Sequence, residues 1–455
     1  MPMVHPSLFD AVLDPADRLY QADVTRPQAE SAASPPLPDL SPIDAAPLSE
    51  EERALCAWLD ARQEARVELL TRTVELNSGS RNPAGIEAVL DLFGTRLGAL
   101  GLEVEHHAAA TPATGGTACC GPHRVFRRAG TSGAHVLLMG HVDTVFEPGC
   151  GFEAATIEGE RLHGPGAADM KGGLVVMLSA LEALDAHGAL AGHGVTVVLN
   201  GDEEISSRGS RPLIEAAARE ATLGLVFEPG REHPWGALTV ARKGTGAFVM
   251  TVRGRAAHSG NRYIDGTSAV DELSRKIIAI HRLTDLRAGR TLNVGIVSTG
   301  PGAKRNKVAD YAMAEFDMRV TDPADAVTVE AKVREIAARS LAGNPWTGEA
   351  TTTELEGGLA RPPMPCTDER AALYRRVAGL AAQLEAPVAA VSVGGGSDAN
   401  LAAAQGLLVL DGLGPVGGGY HTHDEWMDLP SLGPRSQLTT LLLKRVWDGA
   451  IPLKA

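Results

Sequence analysis

The sequence predicts an α/β protein: a mainly parallel sheet flanked by helices, interrupted by a smaller inserted α+β domain. Three observations carry that expectation. Short unbroken apolar runs, HVLLMG (135–140), VTVVLN (195–200) and LGLVFE (223–228), are separated by helical stretches near 174–187 and 210–218. Runs of this kind suit strands covered on both faces, with helices crossing between them. After Trp235 the pattern changes to long alternating strands, LTVARKGTGAFVMTVRGRA, TLNVGIVSTG and YAMAEFDMRV, with helices near 267–281 and 324–341. Strand, helix, two strands and a helix fit a small α+β unit. From about Thr353 the first pattern returns: a helix, the turn GGGSDAN, the strand LLVLDG and a closing helix from Ser431.

The expected division is an arm at 1–48, a main domain in two parts at 49–237 and 353–455, and an insertion at 238–352. The arm is rich in Pro, Ala and Asp and reads as extended or loosely wrapped chain. Ser49 with Glu52 forms a capping box that opens one helix running through Leu70 and Leu76. Asn82-Pro83 opens the next, with proline at its first position. There is no internal repeat.

Composition narrows the class. A chain of 455 residues exceeds one ordinary domain, and 44% hydrophobic residues suffice for a sizeable core. The formal charge of −14 argues against nucleic acid as a partner. No apolar run approaches the ~20 residues of a membrane span. The start, MPMVHPSLFDAVLDPADRLY, has no basic segment followed by an apolar one, so no secretory signal is expected. The five cysteines show no zinc-finger spacing and read as free thiols in a reducing cytoplasm.

Candidate site residues gather around GPGAADMKGG (164–173), which sets Asp169 between a glycine-rich turn and the apolar helix LVVMLSALEAL. His141 and Asp143 follow the run HVLLMG, Glu203 and Glu204 follow VTVVLN, and Glu228 ends LGLVFE. Ligands of open α/β sheets sit beyond the carboxyl ends of the strands, so one edge collects a histidine and several carboxylates. Catalytic zinc takes imidazole nitrogen and carboxylate oxygen. Two zincs sharing a carboxylate act together on a water and a carbonyl. Such a pair needs a terminal histidine and a terminal carboxylate for each ion. His141, Glu204, Glu228 and a C-terminal histidine meet that need, with Asp169 shared. Asp143 is placed to accept the second N–H of His141. Glu203, left without a metal, is the candidate general base. Taken singly, each piece has a plainer reading as a turn, a strand end or a helix cap. Their order at successive strand ends favours a site. The segment GYHTHDEW offers two C-terminal histidines, His421 and His423, on one strand face.

The segments GHVDT, GPGAADMKGG, LNGDEEISSRGS, LVFEPG, GRAAHSG, VGGGSDAN and GYHTHDEW resemble those of the dizinc aminoacylase/carboxypeptidase family of metallopeptidases, from about Ser49 to the end. Among its members, glutamate carboxypeptidase is the most similar. The resemblance implies a zinc-peptidase-like catalytic domain with an inserted lid that mediates homodimerisation. It implies two zinc ions per chain, with cobalt or manganese as substitutes. The substrate implied is a small peptide or an N-acyl amino acid. His141, Asp169, Glu204 and Glu228 are carried over as ligands and Glu203 as base. His421 lies four residues before Glu425, the family's spacing, and is selected over His423. The lid residue His258 is expected to donate to the scissile carbonyl of a partner subunit. Asn306 matches a lid asparagine, although Ala309 stands where the family has proline. Arg319, Gly394 and Gly395 are candidates for holding a substrate carboxylate. The implied activity is release of a C-terminal amino acid such as glutamate, or removal of an N-acyl group. A catalytically silent binding protein is the alternative of another class, and the complete set of ligands and base argues against it.

Overall fold

A computed structural model of the chain describes residues 37–109, 121–131, 133–231 and 233–453. Its largest sheet has the order Glu103–His107, His123–Arg128, Val195–Asn200, Val136–His141, Leu223–Val226, Val409–Leu410. The last four strands are mutually parallel and the first two join antiparallel at one edge. Val136–His141 and Val195–Asn200 are buried at every position, as continuous apolar runs require. The helices Gly173–Ala186 and Leu432–Trp447 lie against each other beside this sheet and supply much of its core. The α/β class read from the sequence is the fold observed.

A second, four-stranded sheet is antiparallel throughout, ordered Thr291–Ser298, Tyr311–Val320, Gly244–Arg253, Thr352–Arg361. The helices Ala269–His281 and Pro323–Ala338 pack on one of its faces around a separate core that includes Phe248, Phe316 and Val329. Gly244–Arg253 alternates buried and less buried residues, the pattern of a sheet covered on one side.

Pairing moves both ends of the expected insertion. Ala237–Arg242 pairs parallel with Ala389–Val393, and its Leu238 and Val240 belong to the first core, so 238 lies inside the main unit. Thr352–Arg361 pairs along Gly244–Arg253, so 353 lies inside the second sheet. The two crossings run side by side, Arg242 and Met364 exchanging backbone hydrogen bonds of 2.8 and 3.0 Å. Alternation in sequence shows that a segment is a strand and not which sheet it joins.

The single helix expected from Ser49 to Leu76 is two, Glu50–Asp60 and Gln63–Glu75. The Ser49–Glu52 capping box is present. At the break the carbonyl of Leu59 accepts from Arg62 N–H at 3.0 Å and from Arg66 Nη1 at 2.6 Å. Of the expected arm, residues 1–36 lie outside the described residues, as do Cys119 and Cys120. Residues 37–48 form no regular element, and residues 41–43 lie against the helix Asp368–Gln383. Ile43 N–H donates to Arg375 O at 2.9 Å, and Arg375 Nε donates to Ser41 O at 2.9 Å. No helix among the described residues is long and apolar enough to cross a membrane.

Candidate active site

The site is assembled where the parallel strands end. His141 is the last residue of its strand and is buried. Its Nδ1 is 3.0 Å from the backbone carbonyl of Asp143, against 3.5 Å to the carboxylate expected to orient it. That carboxylate is occupied elsewhere: it accepts from Ser80 Oγ at 2.8 Å, Glu203 N–H at 3.1 Å and Glu204 N–H at 3.2 Å. Asp143 thus fixes the backbone of the two glutamates as well as sitting beside His141.

Asp169 is held by its loop. Gly166 takes φ 73°, in the left-handed region that favours glycine. At Gly173 a methyl group would come within 1.9 Å of Phe227 O, so the helix after Asp169 packs directly on the strand end that leads to Glu228. The buried Glu425 accepts from the N–H groups of Gly166, Ala168 and Asp169 at 3.0, 2.9 and 3.0 Å. Three charge-assisted hydrogen bonds therefore set this loop from 256 residues away.

The two oxygens of Asp169 face different histidines. Oδ1 is 3.2 Å from His141 Nε2, which is also 3.7 Å from Glu228 Oε1. Oδ2 is 3.4 Å from His421 Nε2, which is 3.3 Å from Glu204 Oε2. Ligand atoms of His141, Asp169 and Glu204 all lie within 4.8 Å of one another. His421 reaches the cluster with φ 62° and remains half exposed. His423 turns away and stacks on Phe152, ring centroids 5.5 Å apart and planes 15° apart.

Burial, with repulsion from Asp169, raises the carboxyl groups of Glu204 to about 7 and of Glu228 to about 8. Burial also opposes ionisation of Asp169, but hydrogen bonds from His141 and His421 hold its pKa below the usual range. Hydrogen bonds to Asp169 and Glu204 raise His421 to about 11. Burial would lower His141, and its hydrogen bonds to Asp143 and Asp169 override this and raise it. Oxygen and imidazole donors so close together, carrying charge that burial penalises, fit a divalent cation.

Glu203 lies beside this cluster. Burial raises its carboxyl to about 8 despite the neighbouring Arg361, whose Nη2 donates to Glu203 Oε1 at 2.8 Å and to Glu203 O at 3.0 Å. Arg361 Nη2 also donates to Ser207 Oγ at 2.9 Å and is 3.6 Å from Asp398 Oδ1. A second buried arginine, Arg242, donates to Asp411 at 2.5 Å and lies 3.8 Å from Glu228. Sequence reasoning did not single out Arg361, Arg242 or Asp398, and used Glu425 only as a spacing marker. The acids among them stand inside motifs already noted, GGGSDAN and GYHTHDEW. The arginines stand at the two crossings between the sheets.

The lid candidates form a group of their own. His258 Nδ1 accepts from Gly260 and Asn261 N–H, both at 3.1 Å, which leaves Nε2 to carry the proton. Ser259 N–H donates to Asn306 O at 3.1 Å, so His258 and Asn306 occupy neighbouring loops. Arg319 pairs with Asp317 on its own strand at 2.9 Å. Gly394 and Gly395 are exposed, and Gly395 O accepts from Arg242 Nη1 at 3.3 Å.

The profile described as Peptidase family M20/M25/M40 matches residues 137–445, more than half of the chain. The chain belongs to this family. It is therefore an enzyme, a hydrolase of a metallopeptidase family, as its motifs led us to expect. Carboxypeptidase G2 of Pseudomonas sp. (strain RS-16) is 29% identical over 407 residues, covering 85% of this chain and 90% of the relative. Succinyl-diaminopimelate desuccinylase of Gluconobacter oxydans (strain 621H) is 28% identical over 327 residues, covering 68% and 80%. Among solved structures, aminopeptidase PepT from Bacillus cereus ATCC 10987 shares the M20 fold, with a TM-score of 0.66 at 22% identity over 84% of this chain and 98% of that one.

Proposed function

We propose that this M20 hydrolase uses two divalent ions, zinc by preference, to release a C-terminal amino acid such as glutamate from a small peptide. One observation carries the reading: Asp169 offers one oxygen to the His141–Glu228 side and the other to the His421–Glu204 side, with the unligated Glu203 adjacent. Bound there, the ions supply Lewis acidity and make water acidic enough to attack at neutral pH. Arg361 occupies Oε1 of Glu203, so Oε2 takes the proton of the attacking water and passes it to the leaving amine. His258 Nε2–H donates to the carbonyl oxygen as charge develops, and Asn306 lies on the neighbouring loop. Arg319 exchanges Asp317 for the substrate's terminal carboxylate, and the N–H groups of Gly394 and Gly395 meet the same group.

We place the enzyme in the cytoplasm, as a homodimer through the second sheet and its helices. The outer strand Thr291–Ser298 exposes Ile296 and Val297, which supports an interface there. Release of amino acids from a dipeptide panel, with and without chelator, tests the reading. Turnover that survives removal of metal overturns it. The desuccinylase relative favours a second reading, removal of an N-acyl group. Turnover of N-acyl amino acids with intact dipeptides would establish that one instead.

A further inference from the structure

The loop that carries Asn306, GPGAKRNKV, has three basic residues in four positions within a chain of net charge −14. It is fastened to the His258 turn on both sides of Lys307. Ser259 N–H donates to Asn306 O at 3.1 Å, and Val308 N–H donates to Ala257 O at 2.9 Å. Lys307 N–H closes the loop on Lys304 O at 3.1 Å. Lys304, Arg305 and Lys307, with Thr299, Ala309 and Asp310, line a hollow of about 270 Å³.

The neighbouring cations are neutralised. Lys307 pairs with Asp310 at 2.7 Å, Arg262 pairs with Asp265, and Arg255 lies 3.4 Å from Glu349. Lys304 and Arg305 are exposed, and neither pairs with a carboxylate among the described residues. Two adjacent unpaired cations at the mouth of a small hollow are a place for an anion, since each gains a partner without breaking an existing pair.

We infer that Lys304 and Arg305 form an anion-binding subsite on the lid that selects substrates carrying a carboxylate beyond the terminal one. The inference rests on the proposed reading in which the His258–Asn306 loops meet the substrate. It adds a residue-level source of specificity. A charged acyl group or acidic side chain is favoured over its neutral counterpart, by an amount that salt reduces.

Matched substrates test it on the metal-loaded enzyme: N-succinyl against N-acetyl amino acids, and dipeptides ending in Glu against Gln. Native enzyme should prefer the anionic member of at least one pair in kcat/KM. In the double variant Lys304→Ala/Arg305→Ala that preference should fall about fivefold or more, the size of two exposed charge contacts. The native preference should also shrink as salt rises from 20 to 500 mM, roughly the change from weak to strong screening. Absence of preference in the native enzyme, or a preference unchanged in the double variant, overturns the inference. His258→Ala separates its failure from that of the underlying reading. If His258→Ala leaves turnover intact, the lid does not meet the substrate. If it lowers turnover while the double variant keeps its preference, only the anion subsite is wrong.

Discussion

Asp169 and His258 stand in two regions that are held in place by different means. Asp169 is fixed by a distant carboxylate, Glu425, through three backbone N–H groups, and both its own oxygens face imidazoles. Around it Glu203, Glu204 and Glu228 are nearly buried, and their ionisation is opposed by the protein itself. His258 is exposed and accepts two hydrogen bonds from its own turn. Arg319 and Arg262 likewise satisfy themselves within two or three residues. The strand-end cluster stores unfavourable charge that a cation relieves. His258, Arg262 and Arg319 are partnered as they stand and gain only when a substrate presents a better partner. On the proposed reading, metal binding depends on the first region alone, and the second contributes to turnover.

The sharpest way to break this contrast is to remove the shared carboxylate. Asp169→Asn should lose metal by elemental analysis and, with it, activity. Full occupancy and activity in that variant would end the two-ion reading. Glu203→Ala should keep its metal and lose at least ~100-fold in turnover, the low end for loss of a general base. Glu204→Ala should instead lose metal. Reversed behaviour of these neighbours would mean that ligand and base have been exchanged.

The same contrast explains what the sequence revealed. The runs HVLLMG and VTVVLN mark the strands Val136–His141 and Val195–Asn200 almost residue for residue, because a strand buried on both faces has no polar positions to blur it. Site residues at such ends are conspicuous as the first polar groups after an apolar run. The two antiparallel strands at one side of the sheet, Glu103–His107 and His123–Arg128, mix charged and apolar residues and gave no such signal. Arg361 meets Glu203 from 158 residues away and Glu425 meets Asp169 from 256, and no local periodicity carries information of that range. His258 and Asn306 became visible only through family resemblance, since loops that satisfy their own hydrogen bonds look like ordinary turns.

His258→Ala sharpens the comparison from the lid side. Turnover should fall by roughly 10²–10³-fold, as for loss of an oxyanion donor. Metal content should match the native enzyme. Mixed subunits of Glu203→Ala and His258→Ala should recover part of the activity if the histidine is delivered across a dimer. Demonstrated heterodimers without recovery would exclude that delivery. A smaller effect belongs to Glu425→Gln, which keeps the shape but replaces one acceptor oxygen with an amide donor facing backbone N–H groups. Metal affinity should weaken about 10–100-fold, the usual range for a residue that orients a ligand. Unchanged affinity would show that the loop holds Asp169 without Glu425.

The smallest expected effect separates the two C-terminal histidines. They are two residues apart, yet His421 Nε2 lies within 3.4 Å of both Asp169 and Glu204, whereas His423 stacks on Phe152 and approaches Phe146 at 6.1 Å. The left-handed backbone at His421 turns the chain here, so the two side chains do not share a face as an extended strand would require. His423 therefore contributes aromatic contact, about 0.5–1.5 kcal/mol in other proteins. His423→Ala should lower Tm by no more than ~4 °C, given how stability scales with chain length, and leave metal stoichiometry unchanged. His421→Ala should lower occupancy at one position with little change in apoprotein Tm. A metal titration of the pair, read beside apoprotein melting curves, decides between them. If His423→Ala loses the ion and His421→Ala retains it, the half-exposed histidine is not the ligand, and the boundary between the strand-end cluster and its surroundings must be redrawn through the Phe146–Phe152 contact.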